Sequence, residues 1–212
     1  MKRKVLFSLL LAGIVLCVFS QNARRISGVI RELTGEVELK RAGAPSFIRA
    51  KAGDAVAADT VISTGFKSTA IIELGNSTIA VRPLTRLSLA EIQSVSDTET
   101  VRVNLQTGRI RVDVKPTTGT RANFTVQSPS ATASVRGTSF EFDTCSLKVN
   151  EGRVVFKGNR GIGILIPTGM ASLVDADDKA VDPLAAEIPA KRKSLRRQPS
   201  TSSYDVGLTI TW

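Results

Sequence analysis

The sequence predicts an all-β protein, and two patterns carry that prediction. Apolar and polar residues alternate in short runs between residues 29 and 174, which is typical of strands with one buried face. Nearly every run ends at a glycine-containing turn, and the runs recur at intervals of about 8 to 12 residues, as many short strands without intervening helices do. We therefore expect a compact stack of short strands, either solenoid-like or sandwich-like.

The individual strands follow from this alternation. The runs are EVELK (36–40), TAIIEL (69–74), STIAV (77–81), RLSLAEI (86–92), TVRVNL (100–105), RIRVDV (109–114), NFTVQS (123–128), SFEFD (139–143), SLKVN (146–150), RVVFK (153–157) and GILI (163–166). Three turns look alike, because TGEVEL at 34, TGRIRV at 107 and EGRVVF at 151 each place glycine and a charged residue before an apolar residue. Glycine adopts positive φ without steric cost, as a tight connection between strands requires.

Residues 1–20 have the layout of a secretory signal peptide, with a cationic start and an apolar stretch from Val5 to Phe19. As a helix this stretch would span about 22 Å, which is shorter than a hydrocarbon core of about 30 Å, so we expect cleavage after Ser20 rather than membrane anchoring. The alternatives are an uncleaved amino-terminal anchor or a lipoprotein modified at Cys17. Leu16 disfavours the lipoprotein, because such signals place a small residue before the cysteine. The predicted location is the periplasm or another exported part of the cell envelope.

Residues 21–182 form the predicted β-domain, and residues 183–203 read as a flexible linker rich in proline, serine and charge. The formal net charge is +10, but residues 21–190 hold 21 Lys and Arg against 18 Asp and Glu. Five of the remaining cations lie in the linker: Lys191, Arg192, Lys193, Arg196 and Arg197. They predict contact with an anionic membrane or envelope surface, with a solvated spacer as the equal alternative. Because no basic stripe with interleaved aromatic residues runs through the domain, nucleic acid is not the expected partner.

The last segment, residues 204–212, alternates again and is predicted to dock as a strand on the domain edge or on a partner's sheet.

Few residues offer catalytic chemistry. The chain has no histidine, which removes the commonest general base and zinc ligand. Cys145 would be the only cysteine left after cleavage, and without an activating base we expect a small, semi-buried residue that is either free or paired between chains. The acidic stretch at 174–182 lacks the glycine and glutamate of a calcium loop. We therefore expect no enzyme activity, no metal and no cofactor.

One interruption of the alternation is chemically unusual, because Arg136, Gly137 and Thr138 separate two strand-like runs. If Ala131, Ala133 and Val135 face the core, Arg136 lies on the opposite face and Gly137 lets the chain turn. A buried unpaired guanidinium would be costly, so Arg136 either stays in solvent or docks on a carboxylate and turn carbonyls. A structural corner clamp is favoured over an anion site.

Five segments, read in order, resemble the FecR domain. They are AGDAVAADTVISTGFKSTAIIEL (52–74), STIAVRPLTRLSL (77–89), VRVNLQTGRIRVDV (101–114), FTVQSPSATASVRGTSFEF (124–142) and VNEGRVVF (149–156). The resemblance implies a compact all-β domain with stacked short strands. In signalling members of that family, a cytoplasmic segment controls a sigma factor, and a periplasmic domain senses an outer-membrane transporter.

Only four residues precede the apolar stretch here, which leaves no room for the cytoplasmic segment. The sequence therefore predicts first a non-enzymatic, exported binding or scaffold module for an envelope protein or polymer. The alternative is a periplasmic sensor component of a FecR-type signalling system.

Overall fold

The computed structural model describes residues 24–25, 27–95, 98–115 and 121–183, and strands dominate this part of the chain. In chain order they are β1 (Arg24–Arg25), β2 (Gly28–Thr34), β3 (Val37–Lys40), β4 (Ile48–Arg49), β5 (Ala55–Val56), β6 (Val61–Thr64), β7 (Thr69–Leu74), β8 (Ser77–Val81), β9 (Arg86–Val95), β10 (Thr98–Thr107), β11 (Arg109–Val114), β12 (Arg121–Gln127), β13 (Ala131–Val135), β14 (Ser139–Asp143), β15 (Ser146–Glu151), β16 (Arg153–Gly158), β17 (Ile164–Pro167) and β18 (Ala171–Leu173). The all-β prediction is confirmed. No helix in the described residues has the length and apolar character needed to cross a membrane.

The strands form two sheets, which we call sheets A and B. Sheet A has the order β17-β16-β13-β12-β10-β9-β6-β3-β4, with β1 paired to β9, and sheet B has the order β18-β15-β14-β11-β8-β7-β2-β5. The strands β10 and β12 pair in parallel, because the intervening β11 lies in the other sheet. The chain therefore alternates between the sheets, and this two-sheet arrangement corresponds to the sandwich-like alternative.

The core lies between the sheets and is built from the inward side of each alternating strand. Phe124, Phe140, Phe142 and Phe156 are its largest buried side chains, and the rings of Phe142 and Phe156 meet edge to face at 6.3 Å. Phe124 and Phe156 belong to sheet A, whereas Phe140 and Phe142 belong to sheet B. Aromatic residues from both sheets thus close a single hydrophobic core.

Glycine corners carry the chain from one sheet to the other. Gly35, Gly108 and Gly152, which are the glycines of the three similar turns, all have positive φ, of 76°, 90° and 84°. Each lies against a hydroxyl-bearing residue of a neighbouring corner, and an added Cβ would overlap Ser68, Thr85 and Thr138 respectively. These positions therefore need glycine for its φ angle and also for its lack of a side chain.

Two of the hydroxyls also satisfy the backbone at these corners. Ser68 Oγ accepts a hydrogen bond of 2.8 Å from the Glu36 N–H. Thr85 Oγ1 accepts from the Arg109 N–H at 3.0 Å and donates to the Arg109 carbonyl at 3.1 Å. Thr138 fills the equivalent place beneath Gly152, but its buried Oγ1 has no hydrogen-bond partner among the described residues.

Substitution of Gly108 by alanine tests the close approach separately from the φ angle. Gly53 has a φ of 89° and no atom within 4 Å of an added Cβ, so it is a matched control. Both variants should lose about 1 to 2 kcal/mol from the left-handed backbone. Gly108→Ala should lose a further amount of about 1 to 3 kcal/mol from overlap with Thr85, measured by urea unfolding. Equal losses would show that the contact with Thr85 is unimportant.

The two corner threonines should respond oppositely to substitution by valine. Thr85→Val removes the acceptor for the Arg109 N–H and should destabilise the protein by about 1 to 3 kcal/mol. Thr138→Val replaces an unpartnered hydroxyl with a methyl group and should be neutral or stabilising. Thermal unfolding of the two variants decides this, and a similar loss in both would contradict the difference in bonding.

A buried carboxylate should make stability depend on pH. Glu99 is 5% exposed, and its Oε1 has no partner among the described residues. Burial raises the pKa of Glu99 above its ordinary value of 4.5, although the Asn76 N–H at 3.3 Å opposes this. The folded state therefore keeps the proton at pH values where the unfolded chain has lost it, and the contribution of Glu99 to stability falls as pH rises above about 4.5.

Glu99→Gln removes this titration and preserves the side-chain shape. We expect a higher melting temperature than that of the parent protein at pH 7, and equal melting temperatures at pH 4, where Glu99 is protonated in both states. A difference that stays constant between these pH values would rule out titration of Glu99 as its cause.

Candidate functional site

The outward face of sheet A presents cations among uncharged polar side chains. Arg102 on β10, Thr125 on β12, Ser134 on β13 and Val155 on β16 are successive cross-strand neighbours. These four side chains and their neighbours line a shallow groove of about 710 Å³. We call this surface the cationic face, and its outward-pointing groove residues are Thr100, Arg102, Asn123, Thr125, Ser134, Arg136, Arg153 and Val155.

The arginines of the cationic face differ in their partners. Arg102 Nη1 forms an ion pair of 2.8 Å with Glu91 Oε2 on the neighbouring strand. Arg136 Nε donates to Asn123 Oδ1 at 3.2 Å. Neither Arg136 nor Arg153 forms an ion pair with any acid in the described ranges. The groove thus holds two guanidinium groups whose charge is not balanced by a contacting carboxylate.

The outward face of sheet B has a different charge pattern. Its arginines Arg31, Arg109 and Arg111 pair with carboxylates at 2.6, 3.4 and 3.4 Å. Sheet B therefore pairs its outward arginines with carboxylates, whereas Arg136 and Arg153 on the other side have no carboxylate contact among the described residues.

The Arg136–Gly137–Thr138 motif forms the corner between β13 and β14. Gly137 has a φ of 67°, and the chain passes there from sheet A to sheet B. Arg136 is exposed, and its one described polar contact is the amide of Asn123, not a carboxylate or a turn carbonyl. Of the three residues, Thr138 is the one placed beneath a neighbouring corner.

A second surface lies at the corners between β6 and β7 and between β8 and β9. The side chains of Phe66 and Leu84 are 73% and 60% exposed, and the Leu84 N–H donates to the Gly65 carbonyl at 3.2 Å. Lys67 Nζ lies 5.6 Å from the Phe66 ring, and Arg82 borders a groove with Leu84. We call Phe66, Lys67, Arg82 and Leu84 the corner patch.

The backbone at the corner patch is strained. Leu84 follows Pro83 and has a φ of 56°, and Lys67 has a φ of 55°. A turn that needs positive φ after proline favours glycine or asparagine there. Leucine in this conformation costs about 1 to 2 kcal/mol, and its exposed side chain recovers little by burial. The strain therefore points to a role outside folding.

Cys145 borders the same groove as Leu84 but is poorly suited to nucleophilic chemistry. It is a free, exposed cysteine in the turn between β14 and β15, so the expectation of a semi-buried residue was wrong. Desolvation and the nearby charge of Asp143 raise the pKa of its thiol above the ordinary value of 9.0. At neutral pH the thiol is protonated, and the thiolate is the nucleophile.

Asp143 organises that turn. Its Oδ1 accepts hydrogen bonds from the N–H groups of Cys145 and Ser146 at 3.0 and 2.7 Å. Burial raises the pKa of Asp143, but these bonds, a third from the Ser146 hydroxyl and the charge of Arg109 together lower it. Asp143 is thus a fixed anion in a turn, and no group of three potential metal-ligating side chains occurs within the described ranges.

Several predicted sites fall outside the described residues. These are the signal peptide with its cleavage after Ser20, the strand at 204–212 and the linker cations Lys191, Arg192, Lys193, Arg196 and Arg197. They remain predictions.

Sequence reasoning found Arg136 but missed the other members of both surfaces. Arg102 and Arg153 each look like the ordinary polar residue of an alternating strand. Leu84 carried a local signal, because RPLT puts leucine where a proline turn commonly has glycine.

The central part of the chain matches one family model. Residues 59–155 match the family model described as FecR protein, a regulatory family with no known enzymatic activity. No curated protein matches the chain.

Two crystal structures described as a candidate anti-sigma factor from Parabacteroides distasonis ATCC 8503 are similar to this chain. Each is 17% identical, with TM-scores of 0.47 and 0.46. The matches cover 57% and 62% of this chain and 57% and 64% of the solved chains, which is less than two thirds of their length. The segments that resemble the FecR domain overlap the family-model match at residues 59–155.

Proposed function

We propose that this protein is an exported sensor component of a FecR-type signalling system. The FecR domain carries the proposal, because the signalling members of that family use it to receive a signal from a partner protein. The sequence alone favoured a scaffold, and the family match now supports the sensor more strongly. A scaffold for envelope proteins is the competing function.

The corner patch is the surface on which we place the partner. It lies inside the FecR domain and combines two exposed apolar side chains with two cations. Apolar anchors surrounded by charge are typical of the energetically important centre of a protein interface. A partner with an acidic rim around an apolar pocket would complement this surface.

Leu84→Gly separates binding from stability. Glycine relieves the positive φ, so the melting temperature should stay the same or rise. Removal of an interface contact worth about 1 kcal/mol should weaken partner binding by about fivefold. Ile162→Gly is the control, because Ile162 is 82% exposed and lies outside the FecR match.

The measurement is photo-crosslinking in cells from a photoreactive residue at position 66, followed by mass spectrometry. We expect an outer-membrane transporter or a sigma-factor regulator, with a yield that falls in Leu84→Gly and not in Ile162→Gly. Crosslinks only to abundant envelope proteins would favour the scaffold. A lower melting temperature for Leu84→Gly would show that Leu84 serves folding.

A further inference from the structure

We propose that the cationic face binds an acidic polysaccharide through Arg136 and Arg153. This proposal rests on the outward surface of sheet A and does not depend on the signalling role of the FecR domain. The ligand class follows from the charge of the face, from its uncharged side chains and from its position in the sheet.

The charge of the face calls for an anion. Arg136 and Arg153 line one groove, and no described carboxylate pairs with either. Two like charges in one groove repel each other, and a bound anion would relieve that repulsion. The planar guanidinium group matches a carboxylate with two parallel hydrogen bonds.

The neighbours of the arginines favour a ligand that also carries hydroxyl groups. Thr100, Asn123, Thr125 and Ser134 lie around them in the groove, and their hydroxyl and amide groups can both donate and accept hydrogen bonds. A sugar acid offers a carboxylate flanked by hydroxyls, which these side chains complement. Because the groove spans several strands, it suits a polymer of such units.

The position of the groove disfavours an acidic peptide. An extended peptide normally joins a sheet at its edge, where unpaired backbone groups are available. The groove lies over β10, β12, β13 and β16, which are interior strands of sheet A whose backbone is already paired. A ligand on this face must be recognised by side chains alone.

The experiment uses the full chain with the five linker cations at 191, 192, 193, 196 and 197 changed to glutamine, so that the linker cannot bind the anion. Binding to polygalacturonate is measured by calorimetry at low and high salt. Dextran is the neutral polysaccharide and poly-L-glutamate is the acidic peptide. We expect binding to polygalacturonate that weakens with salt, no binding to dextran and weaker binding to poly-L-glutamate.

Two matched variants assign the binding to the groove. Arg136→Ala with Arg153→Ala should weaken binding about tenfold, because two exposed charge contacts are lost. Arg31→Ala with Lys148→Ala removes the same charge from sheet B and should change binding by less than about twofold. Equal effects of the two pairs would overturn the site.

A gain of binding gives a test that misfolding cannot mimic. Glu91→Gln frees Arg102 from its ion pair and should strengthen binding to polygalacturonate. No gain in this variant, no binding by the parent chain, or binding to poly-L-glutamate as tight as to polygalacturonate would each overturn the proposal.

Discussion

The fold depends on close contact between a corner glycine and the residue packed beneath it. At Gly35, Gly108 and Gly152 the chain crosses from one sheet to the other within one or two residues. Gly108 provides the φ angle, and Thr85 fills the space that a Cβ would take and binds the Arg109 backbone on both sides. Because neighbouring corners contact each other in this way, the crossings on one edge hold each other in register.

The alternation of the strands follows from these corners. Once a corner fixes which residue first enters a strand, the period of two sets the inward and outward positions after it, except where a bulge shifts the register, as between β9 and β10. The Arg136–Gly137–Thr138 corner shows this clearly, because Val135 before it and Phe140 after it both point into the core. A shift by one residue would place Phe140 and Phe142 in solvent.

The sequence was sufficient to predict most of the longer strands but not β2 or β6, and it did not predict the assignment of strands to sheets. The predicted runs at 69–74, 77–81, 109–114 and 139–143 coincide with β7, β8, β11 and β14, because alternation and glycine turns are local signals. Both sheets bury their apolar side in one shared core, so alternation alone cannot distinguish them. The contacts of Gly35 with Ser68 and of Gly108 with Thr85 join distant parts of the chain, and no local pattern reveals them.

The candidate surfaces were harder to predict for the same reason. Arg102, Arg136 and Arg153 come from separate segments, and only the pairing of β10, β12, β13 and β16 brings them to one groove. Arg136 drew attention because it interrupts the alternation, yet its corner is built by Gly137 and Thr138, while its own side chain points into solvent. The residue that looked structural therefore contributes to a surface, and its neighbours contribute to the fold.

The difference between the two outer faces has no origin in folding. Sheet stability comes from the shared core and from backbone pairing, and exposed ion pairs add little, with a typical value of about 0 to 1 kcal/mol. Outward positions are thus free to vary, and sheet B fills them with arginines paired to carboxylates. Sheet A could have done the same, since an acidic residue at the position of Thr100 or Asn123 would disturb no core contact. Arg136 and Arg153 instead share one groove without a contacting carboxylate among the described residues, which is the arrangement that the proposed anionic ligand would complement.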